Sequence, residues 1–473
     1  MSINVAIIGG GVAGVTAALT LSNLGLNVTI FEANNRLISG PPFCHLHAGG
    51  NLYREISDRQ CLTLLEQSID FAKLYPFAID KRPTIFATPI YDKQEPTDIV
   101  NRLELLKSRY QELINKDISN KQLSDANNYY ELFTKEQLEE IAKKEIVKEP
   151  KENIEWLIPF AKNLDFSKIK FPVIVVQEYG INLFRVAASA ALALESLDNV
   201  NLYRDTKVTD VKYRDGSYEI SFVGKESGSI EADYLINAAG FKTGIIDDML
   251  NIKEQRLVEF KAAYTTKWKD RCDKWPEVVF HGERGTSKGM GQFTPYCSGI
   301  VQLHAMTPDV TLFKDGLVST NSESSYPKLN SKFLDIIDSG WSKDLRDKRA
   351  KKAVEYLSNF FPKFADATFE FKPLFGAQQI PGDDPTLRVA EVSFAKPKYA
   401  RCEIVKVSSV NDMAKAIVED IAKEFNLEFK EDIFNIEALK NLSDSQIDAR
   451  AKKIAKIAEY PEEMAKRCNR LWV

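Results

Sequence analysis

The stretch AIIGGGVAGVTAA, residues 6–18, decides the fold of this chain. The apolar run INVAII at 3–8 ends in its glycines, and an apolar segment of helical character continues to residue 24. NVTIFE at 27–32 then has the β-branched composition of a second strand. Strand, glycine-rich turn, helix and strand in this order predict a βαβ unit that begins near the first residue.

The glycines have the spacing G-x-G-x-x-G, formed by Gly9, Gly11 and Gly14. In this pattern the first glycine permits a tight turn, the second lets the backbone approach a pyrophosphate, and the third lets helix and strand pack closely. The helix N-terminus offers free N–H groups to phosphate. Glu32 ends the second strand eighteen positions after Gly14, near the interval of about 20 for a ribose-binding acid. These features predict a bound dinucleotide, and the alternative is a glycine turn with no ligand.

The N-terminal segment AIIGGGVAGVTAALTLSNLGLNVTIFEA resembles the FAD fingerprint of FAD-dependent oxidoreductases of the D-amino-acid oxidase type, which include glycine and sarcosine oxidases. ADYLINAAGFKT at 232–243 resembles the family's second signature, and TKVTDVKY at 206–213 resembles its adenine-binding segment. LFGAQQIPGDDPTLRVAEV at 374–392 resembles a late glycine loop beside the isoalloxazine. The resemblance implies FAD as cofactor, with these further contacts: Val12, Ala13, Ala33, Val208, Ala238, Ala239, Gly240 and Gly376.

The resemblance also implies an α/β fold: a Rossmann-like FAD-binding domain with an antiparallel-sheet substrate domain. The added helical segments are expected from the sequence itself, and the block 56–170 has no counterpart in the family. The expected FAD-binding domain is discontinuous, and the other parts fill the gaps between its segments. The expected ranges are 1–55, 171–255 and 370–425 for the FAD-binding domain, 256–369 for the substrate domain, 56–170 for a helical insertion and 426–473 for a helical tail. The family's late Trp- and Arg-bearing motif is absent in its usual form, so substrate identity does not carry over.

The loop SGPPFCHLHAGGN at 39–51 holds His45 and His47, two of only four histidines. In the family this loop runs along the flavin ring, which makes either histidine a candidate for a flavin contact, a base or a covalent attachment point. The alternative is a turn closed by two histidines. A metal site with Cys44 lacks a partner cluster at a known spacing, so none is expected. The loop residues expected to contact FAD are Ser39, Gly40, His47, Ala48 and Gly49.

Candidates for substrate contact come from the later β-rich segments. In GIVQLHAM, Gln302 and His304 alternate with apolar residues, so both face one side of a strand. That side either lines a cavity above the flavin or faces solvent. Tyr296 lies at an expected hairpin turn, where it either closes over a substrate or packs locally. Bidentate carboxylate binding makes arginines candidates, against the alternative of surface salt bridges: Arg284, Arg388 and Arg401.

Composition bounds the possible functions. The chain has 473 residues, 63 basic and 67 acidic side chains and a net charge of −4, which gives no electrostatic footprint for nucleic acid. No segment reaches about 18 uninterrupted apolar residues, so no membrane span is predicted. The apolar N-terminus lacks a preceding Lys or Arg, unlike a signal peptide. Six scattered cysteines without a C-x-x-C pair indicate reduced thiols, and hence a cytoplasmic protein. A peripheral contact with the membrane stays open as an alternative.

The expected reaction follows from a single dinucleotide site. No second strand–GxGxxG–helix unit is present to hold a nicotinamide. A flavin that takes a hydride from a small amine or hydroxy acid, and passes electrons to oxygen, a quinone or a carrier protein, fits this arrangement. Two alternatives stay open: an NAD(P)H-dependent monooxygenase, and a flavin-bound sensor or assembly protein. The helical insertion and tail are candidate surfaces for an oligomer.

Overall fold

A computed structural model describes residues 3–40, 43–46, 54–269, 274–369, 371–429 and 432–468, with the backbone alone at 43–45. The strands are β1 (Asn4–Ile8), β2 (Asn27–Phe31), β3 (Phe43–Leu46), β4 (Ile79–Asp80), β5 (Thr84–Pro89), β6 (Tyr130–Phe133), β7 (Ile169–Val176), β8 (Tyr179–Asn182), β9 (Val200–Tyr203), β10 (Thr206–Arg214), β11 (Ser217–Gly224), β12 (Gly228–Ala232), β13 (Tyr234–Asn237), β14 (Arg256–Lys267), β15 (Glu277–Phe280), β16 (Gly291–Pro295), β17 (Ile300–Ala305), β18 (Leu317–Ser319), β19 (Leu374–Pro381), β20 (Val392–Lys396) and β21 (Tyr399–Cys402). The α-helices are α1 (Val12–Asn23), α2 (Asp58–Leu74), α3 (Val100–Lys116), α4 (Lys135–Ile141), α5 (Asn153–Asn163), α6 (Leu183–Leu194), α7 (Thr243–Met249), α8 (Ser331–Ser339), α9 (Lys343–Ser358), α10 (Val410–Phe425), α11 (Glu437–Lys440) and α12 (Asp444–Ile457).

The first sheet has the order β20-β21-β13-β1-β2-β9, and all its pairs are parallel except the edge pair β20–β21. Helix α1 packs against β1 and β2, α10 packs against β20, and α1 contacts both α6 and α10. A parallel sheet must be covered by helices because its strands are apolar. Accordingly, β1 buries four of its five residues, and α1 buries nearly all of its length. The expected βαβ unit at the N-terminus is confirmed.

The second large sheet has the order β18-β14-β17-β16-β15-β5-β7-β6, with β19 paired to β14. Most of its pairs are antiparallel, and β15–β5 is parallel. An aromatic core lies behind it, where Trp268 and Trp275 meet edge to face with centroids 5.6 Å apart. The mixed α/β architecture of a Rossmann-like sheet beside a largely antiparallel one agrees with the expected fold class.

The hairpin β10–β11 was predictable from its turn residues alone. Asp215 and Gly216 both have positive φ, at 52° and 88°, and they join Arg214 to its partner Ser217. Two central residues with positive φ match the right-handed twist of the flanking strands, and Asp-Gly favours this turn. The expected antiparallel pair at this place is confirmed.

Segment 56–170 differs from the mostly helical insertion expected there. It holds α2 to α5, but it also supplies β5 and β6 to the second sheet, together with the start of β7. These strands are short and pair with partners far along the chain, such as β15, so no local periodicity marked them. The six strands of the first sheet come from 1–55, 171–255 and 370–425. The division into domains itself stays a prediction.

The expectation of reduced thiols was wrong for one pair of cysteines. Cys297 and Cys468 form a disulfide across 171 residues, whereas Cys61 and Cys402 are free and buried. The bond ties the turn between β16 and β17 to the end of the described chain. Two scattered cysteines carry no spacing signal for such a bond, because the fold alone brings them together.

Candidate functional site

The glycine turn after β1 is shaped by contact with the neighbouring strand β13. Gly9 has φ +108°, and a Cβ on it would lie 2.3 Å from the Ala238 carbonyl oxygen. A Cβ on Gly14 would lie 1.9 Å from the Gly9 carbonyl oxygen. Only glycine fits such close backbone approaches. These two glycines therefore shape the turn, as the sequence predicted.

Gly11 has a different environment from the other two. Nothing lies within 4 Å of the place a Cβ would occupy there, and Gly11 lines a cavity. It is also the N-cap of α1 and makes no side-chain capping bond. An open glycine at an uncapped helix N-terminus is a cradle for an anion such as a pyrophosphate.

Glu32 stands at the end of β2, 6% exposed. It accepts the backbone N–H of Gly10 at 2.8 Å through one oxygen, and the Asn34 backbone N–H at 2.8 Å and side-chain Nδ2 at 2.7 Å through the other. Asn34 Nδ2 also donates to Ser39 Oγ at 2.9 Å. Glu32 thus ties the glycine turn to the start of the following loop, at the position expected for a ribose acid.

The second signature forms a turn beside the first. The Ala238 N–H donates to the Ile8 carbonyl at 2.8 Å, so β1 and β13 end side by side. Asn237 is fully buried, and its Nδ2 donates to the Thr243 carbonyl at 3.0 Å and to Tyr399 Oη at 2.8 Å. Ligands of open parallel sheets bind outside the carboxyl ends of the strands. Both turns therefore lie where a dinucleotide fits.

A cavity of about 390 Å³ lies between these turns and the second large sheet. Its two sides come from different parts of the fold. The first side holds the glycine turns, the start of α6 and the segment after β21: Gly11, Val12, Ala13, Ile38, Gly40, Leu183, Ala238, Gly240, Phe241, Cys402, Ile404, Val405, Lys406 and Val407. The sheet side holds Lys261, Met290, Gln292, His304, Met306, Gly376, Ala377, Gln378 and Gln379, with Arg388 from the loop that follows β19.

The sheet side carries a concentration of positive charge. Lys261 Nζ lies 2.8 Å from Glu259 Oε2 and donates to Gln378 Oε1 at 3.1 Å. Arg284 also donates to Glu259. Burial lowers the pKa of Lys261 to about 8, although Glu259 partly opposes this shift, and Arg284 and Arg388 add to it. Burial alone would raise the pKa of Glu259, but Lys261 and Arg284 hold it below its usual value. Lys261 and Arg284 pair with Glu259. Of the three cations, Lys261 and Arg388 line the cavity, so this wall is able to hold an anion.

Several of the predicted site residues line the cavity, and one of them, Gly376, lies in a different secondary structure from the one expected. His304, Arg388, Gly376, Val12, Ala13, Gly40, Ala238 and Gly240 line it. Gly376, however, lies in strand β19 opposite Lys261, not in a glycine loop. The turn-rich composition of this segment is overridden by pairing with β14 along eight residue pairs. The segment between β21 and α10 also lines the cavity, through Ile404, Val405, Lys406 and Val407.

Other predicted residues lie elsewhere. The Val208 side chain packs in the core of the small sheet β10-β11-β12, and the adenine contact expected of its backbone stays a prediction. Gln302 is fully buried, and it accepts the Tyr296 hydroxyl at 3.1 Å. Val208, Gln302 and Tyr296 are all absent from the described cavity lining. The solvent-facing alternative for Gln302 is wrong, because its side chain is buried.

Two further predictions concern arginine and the loop after β2. Arg401 is a buried structural residue, 2% exposed, held by Glu254 at 2.6 Å and Glu403 at 2.9 Å, so its surface alternative is wrong. Ala33 is exposed beside Glu32. The side chain of His45 and the whole of His47, Ala48 and Gly49 lie outside the described residues.

Lys261 and Gln292 are the site residues that sequence reasoning missed. One signal was available: in VEFKAAY an acid and a base stand two apart in an otherwise apolar strand. Such spacing puts both charges on one face, and buried charges are rare unless paired. Gln292 carried no comparable signal.

Metal and membrane features were also searched over the described ranges. Within them, no group of three or more His, Cys, Asp or Glu side chains is arranged to hold a metal ion. None of the helices in these ranges combines the length and the apolar composition needed to cross a bilayer.

Solved structures share this fold at low sequence identity. The chain superposes on L-amino acid deaminase from Proteus vulgaris with a TM-score of 0.58 and 13% identity, over 94% of this chain and 96% of that one. For glycine oxidase from Geobacillus kaustophilus the TM-score is 0.56 and the identity 13%, over 92% and 99%. For FAD-bound L-alpha-glycerophosphate oxidase from Mycoplasma pneumoniae they are 0.54 and 16%, over 91% and 96%.

Sequence comparison gives the family directly. No curated protein sequence matches the chain significantly. The family model described as FAD dependent oxidoreductase matches residues 4–372. The turns at Gly9–Gly14 and Ala238–Gly240 are among the residues matched, and their geometry fits FAD. This chain belongs to the DAO family of FAD-dependent oxidoreductases.

Proposed function

We propose that this enzyme oxidises a small amine, amino acid or hydroxy acid that carries an anionic group. One observation carries the proposal: the open glycine Gly11 and the cationic pair Lys261 and Arg388 line the same cavity. The structural neighbours are named for glycine, L-amino acids and glycerophosphate, all of which carry an anionic group. A buried cationic wall provides a binding energy that such substrates share.

Each part of the cavity has a proposed role. Bound FAD would supply the hydride acceptor, and Gly11, with the N-terminus of α1, would hold its pyrophosphate. Lys261 and Arg388 would hold the substrate's anion. Arg388 is fixed for this, because its Nη1 donates to the Pro385 carbonyl at 3.0 Å and the Leu387 carbonyl at 2.7 Å. His304, on the same wall, would take the proton that leaves the substrate's nitrogen or oxygen.

Apolar residues complete the proposed site. Leu183, Ile404 and Val405 line the cavity opposite the cationic wall. Their packing would exclude water from the reacting C–H bond. The electron acceptor of the proposed enzyme is oxygen, a quinone or a carrier protein.

The test is anaerobic reduction of the purified holoenzyme. Glycine, L-proline, D-alanine, glycolate and glycerol 3-phosphate are added in turn, and loss of visible flavin absorbance is followed. We expect at least one of these compounds to bleach the flavin. Methylamine and ethanol, which lack an anionic group, should not do so. Bleaching by NAD(P)H alone would favour the monooxygenase alternative. Protein that none of these compounds reduces would favour a flavin-bound sensor.

A further inference from the structure

A buried carboxylate lies directly behind the cavity wall. Glu277, at the start of β15, is fully buried. One of its oxygens, Oε1, accepts the Gln292 Nε2 amide and, at 3.0 Å, the Thr294 hydroxyl. Its other oxygen lies 3.2 Å from Nη1 of Arg82, which is itself 4% exposed. The negative charge of Glu277 is therefore paired inside the protein.

This arrangement fixes the orientation of the Gln292 side chain. A primary amide has one donating end and one accepting end, and a carboxylate can only accept. Gln292 must therefore present its NH2 group to Glu277, and its carbonyl oxygen is turned the other way. Reversal would bring that oxygen against a buried carboxylate and leave both acceptors without a donor.

The carbonyl end of the Gln292 side chain is the end available to the cavity. Gln292 is 2% exposed and lines the cavity, and it stands opposite His304 in the β16–β17 pair. It lies on the sheet side, away from the glycine turns that would hold the nucleotide. An oriented carbonyl oxygen at this place accepts a hydrogen bond from a bound molecule and repels an anion.

We propose that Glu277 is a positioning residue that fixes Gln292, and that Gln292 Oε1 selects substrates at the binding step by accepting a hydrogen bond from the N–H or O–H of the group undergoing oxidation, before that group turns its proton to His304. The inference rests on the proposed oxidation of an amine or hydroxy acid in this cavity. The cationic wall holds the substrate's anion, and Gln292 reads the donor beside it. A site built to accept a hydrogen bond rejects an analogue that lacks the donor, because the acceptor is left unpaired.

The experiment compares two nearly isosteric anions that no hydride transfer can consume. 2-Hydroxyisobutyrate carries a hydroxyl donor and no α-hydrogen, and pivalate has a methyl group in place of the hydroxyl. Each is titrated into the oxidised holoenzyme, and its Kd is read from the perturbed visible flavin spectrum. We expect wild-type protein to prefer 2-hydroxyisobutyrate by about tenfold. The preference should fall to about one in Gln292→Met, and to a twofold or threefold ratio in Glu277→Gln, where either amide is free to turn.

Thr294→Val is the matched variant. It removes the second donor to Glu277 and leaves the amide oriented, so the wild-type ratio should persist. Gln292→Met decides the contact even where Glu277→Gln does not fold, and a tenfold ratio in Gln292→Met would overturn the proposal. The measurement needs no turnover. The proposed function is therefore tested separately by anaerobic reduction, and either result can stand without the other.

Discussion

Lys261 Nζ lies 2.8 Å from Glu259 Oε2, and the lysine lines the cavity onto which Gly11 opens. The two charges stand two residues apart on β14 and share one face of it. Burial holds the pKa of Lys261 at about 8. This wall therefore changes its charge within a pH range in which most enzymes are assayed.

The first prediction concerns the pH dependence of anion binding. The affinity of the holoenzyme for glycolate should be constant below about pH 8 and should then fall as Lys261 loses its proton. Lys261→Met should bind about tenfold more weakly without that pH dependence, and Lys261→Arg should bind well above pH 8. Lys267→Met, at the exposed end of the same strand, is the control. An unchanged pH midpoint in Lys261→Met would exclude Lys261 as its origin.

The same lysine predicts the pH dependence of stability. Its pKa is about 8 in the folded protein, against 10.5 for an ordinary lysine. Between these values the unfolded chain binds the additional proton, so the contribution of Lys261 to the unfolding free energy rises with pH in this window. Below about pH 8 both states are protonated, and the cost of burying the charge is constant. Urea unfolding of the apoprotein should show a steeper rise from pH 8 to 10 in wild type than in Lys261→Met. Parallel curves would contradict this assignment.

The glycine turn predicts two different outcomes for two similar substitutions. Gly11 has φ −70° and ψ −179°, which any residue adopts, and a side chain there enters open space. Gly11→Val should leave the apoprotein folded with an unchanged Tm but reduce FAD binding at least tenfold, since the side chain occupies the anion cradle. Gly14→Ala should instead destabilise the fold, because its Cβ would lie 1.9 Å from the Gly9 carbonyl oxygen. Circular dichroism and flavin content per chain separate the two effects. Full flavin content in Gly11→Val would place the pyrophosphate elsewhere.

The contrast between Gly11 and Gln292 shows what sequence reasoning can reach. The fingerprint and Glu32 lie within one contiguous βαβ unit, so their spacing along the chain largely fixes their spacing in space. Gln292 matters because Glu277 and Arg82 meet behind it, and Arg82 precedes a strand that pairs in parallel with β15. Such pairing between distant segments leaves no period in the sequence.

Strand β19 and the disulfide also depend on contacts between distant segments, which the sequence does not reveal. Gly376 and its neighbours have a poor strand composition, and they form a strand because β14 offers a partner along its whole length. Cys297 and Cys468 are 171 residues apart, and only the folded chain joins them. The helical tail at 426–473 was predicted from the sequence, whereas the elements against which it packs were not.

The disulfide makes a prediction of its own. Closing a loop of this length constrains the unfolded chain and typically stabilises a protein by about 2 to 4 kcal/mol. Cys468→Ser should therefore lower the Tm by several degrees, and dithiothreitol should lower that of wild type by a similar amount while leaving Cys468→Ser unchanged. Cys61→Ala should remain sensitive to the reductant, because Cys61 is a free cysteine. Equal sensitivity in Cys468→Ser would contradict the pairing.

The last prediction concerns how the tail is held against α6. Arg185 is buried in α6, 1% exposed, and it donates to Asp444, to Asp448 at 3.3 Å and to the Phe77 carbonyl at 2.5 Å. Beside it, Arg450 of the tail pairs with Glu195 at the surface at 2.7 Å. The two ion pairs thus cross one interface at different depths.

The buried ion pairs of Arg185 should contribute more to the unfolding free energy than the exposed pair of Arg450. Arg185→Met removes a buried donor from Asp444, Asp448 and the Phe77 carbonyl, although Arg467 and Lys452 still pair with the two carboxylates. It should cost about 2 kcal/mol of unfolding free energy, whereas Arg450→Met removes an exposed pair and should cost at most about 1 kcal/mol. In Arg185→Met, limited proteolysis should cut within 426–460 before the rest of the chain, because the helix α12 has lost its buried anchor. Similar losses in the two variants, or cleavage that spares the tail, would mean that apolar packing on α6 holds it instead.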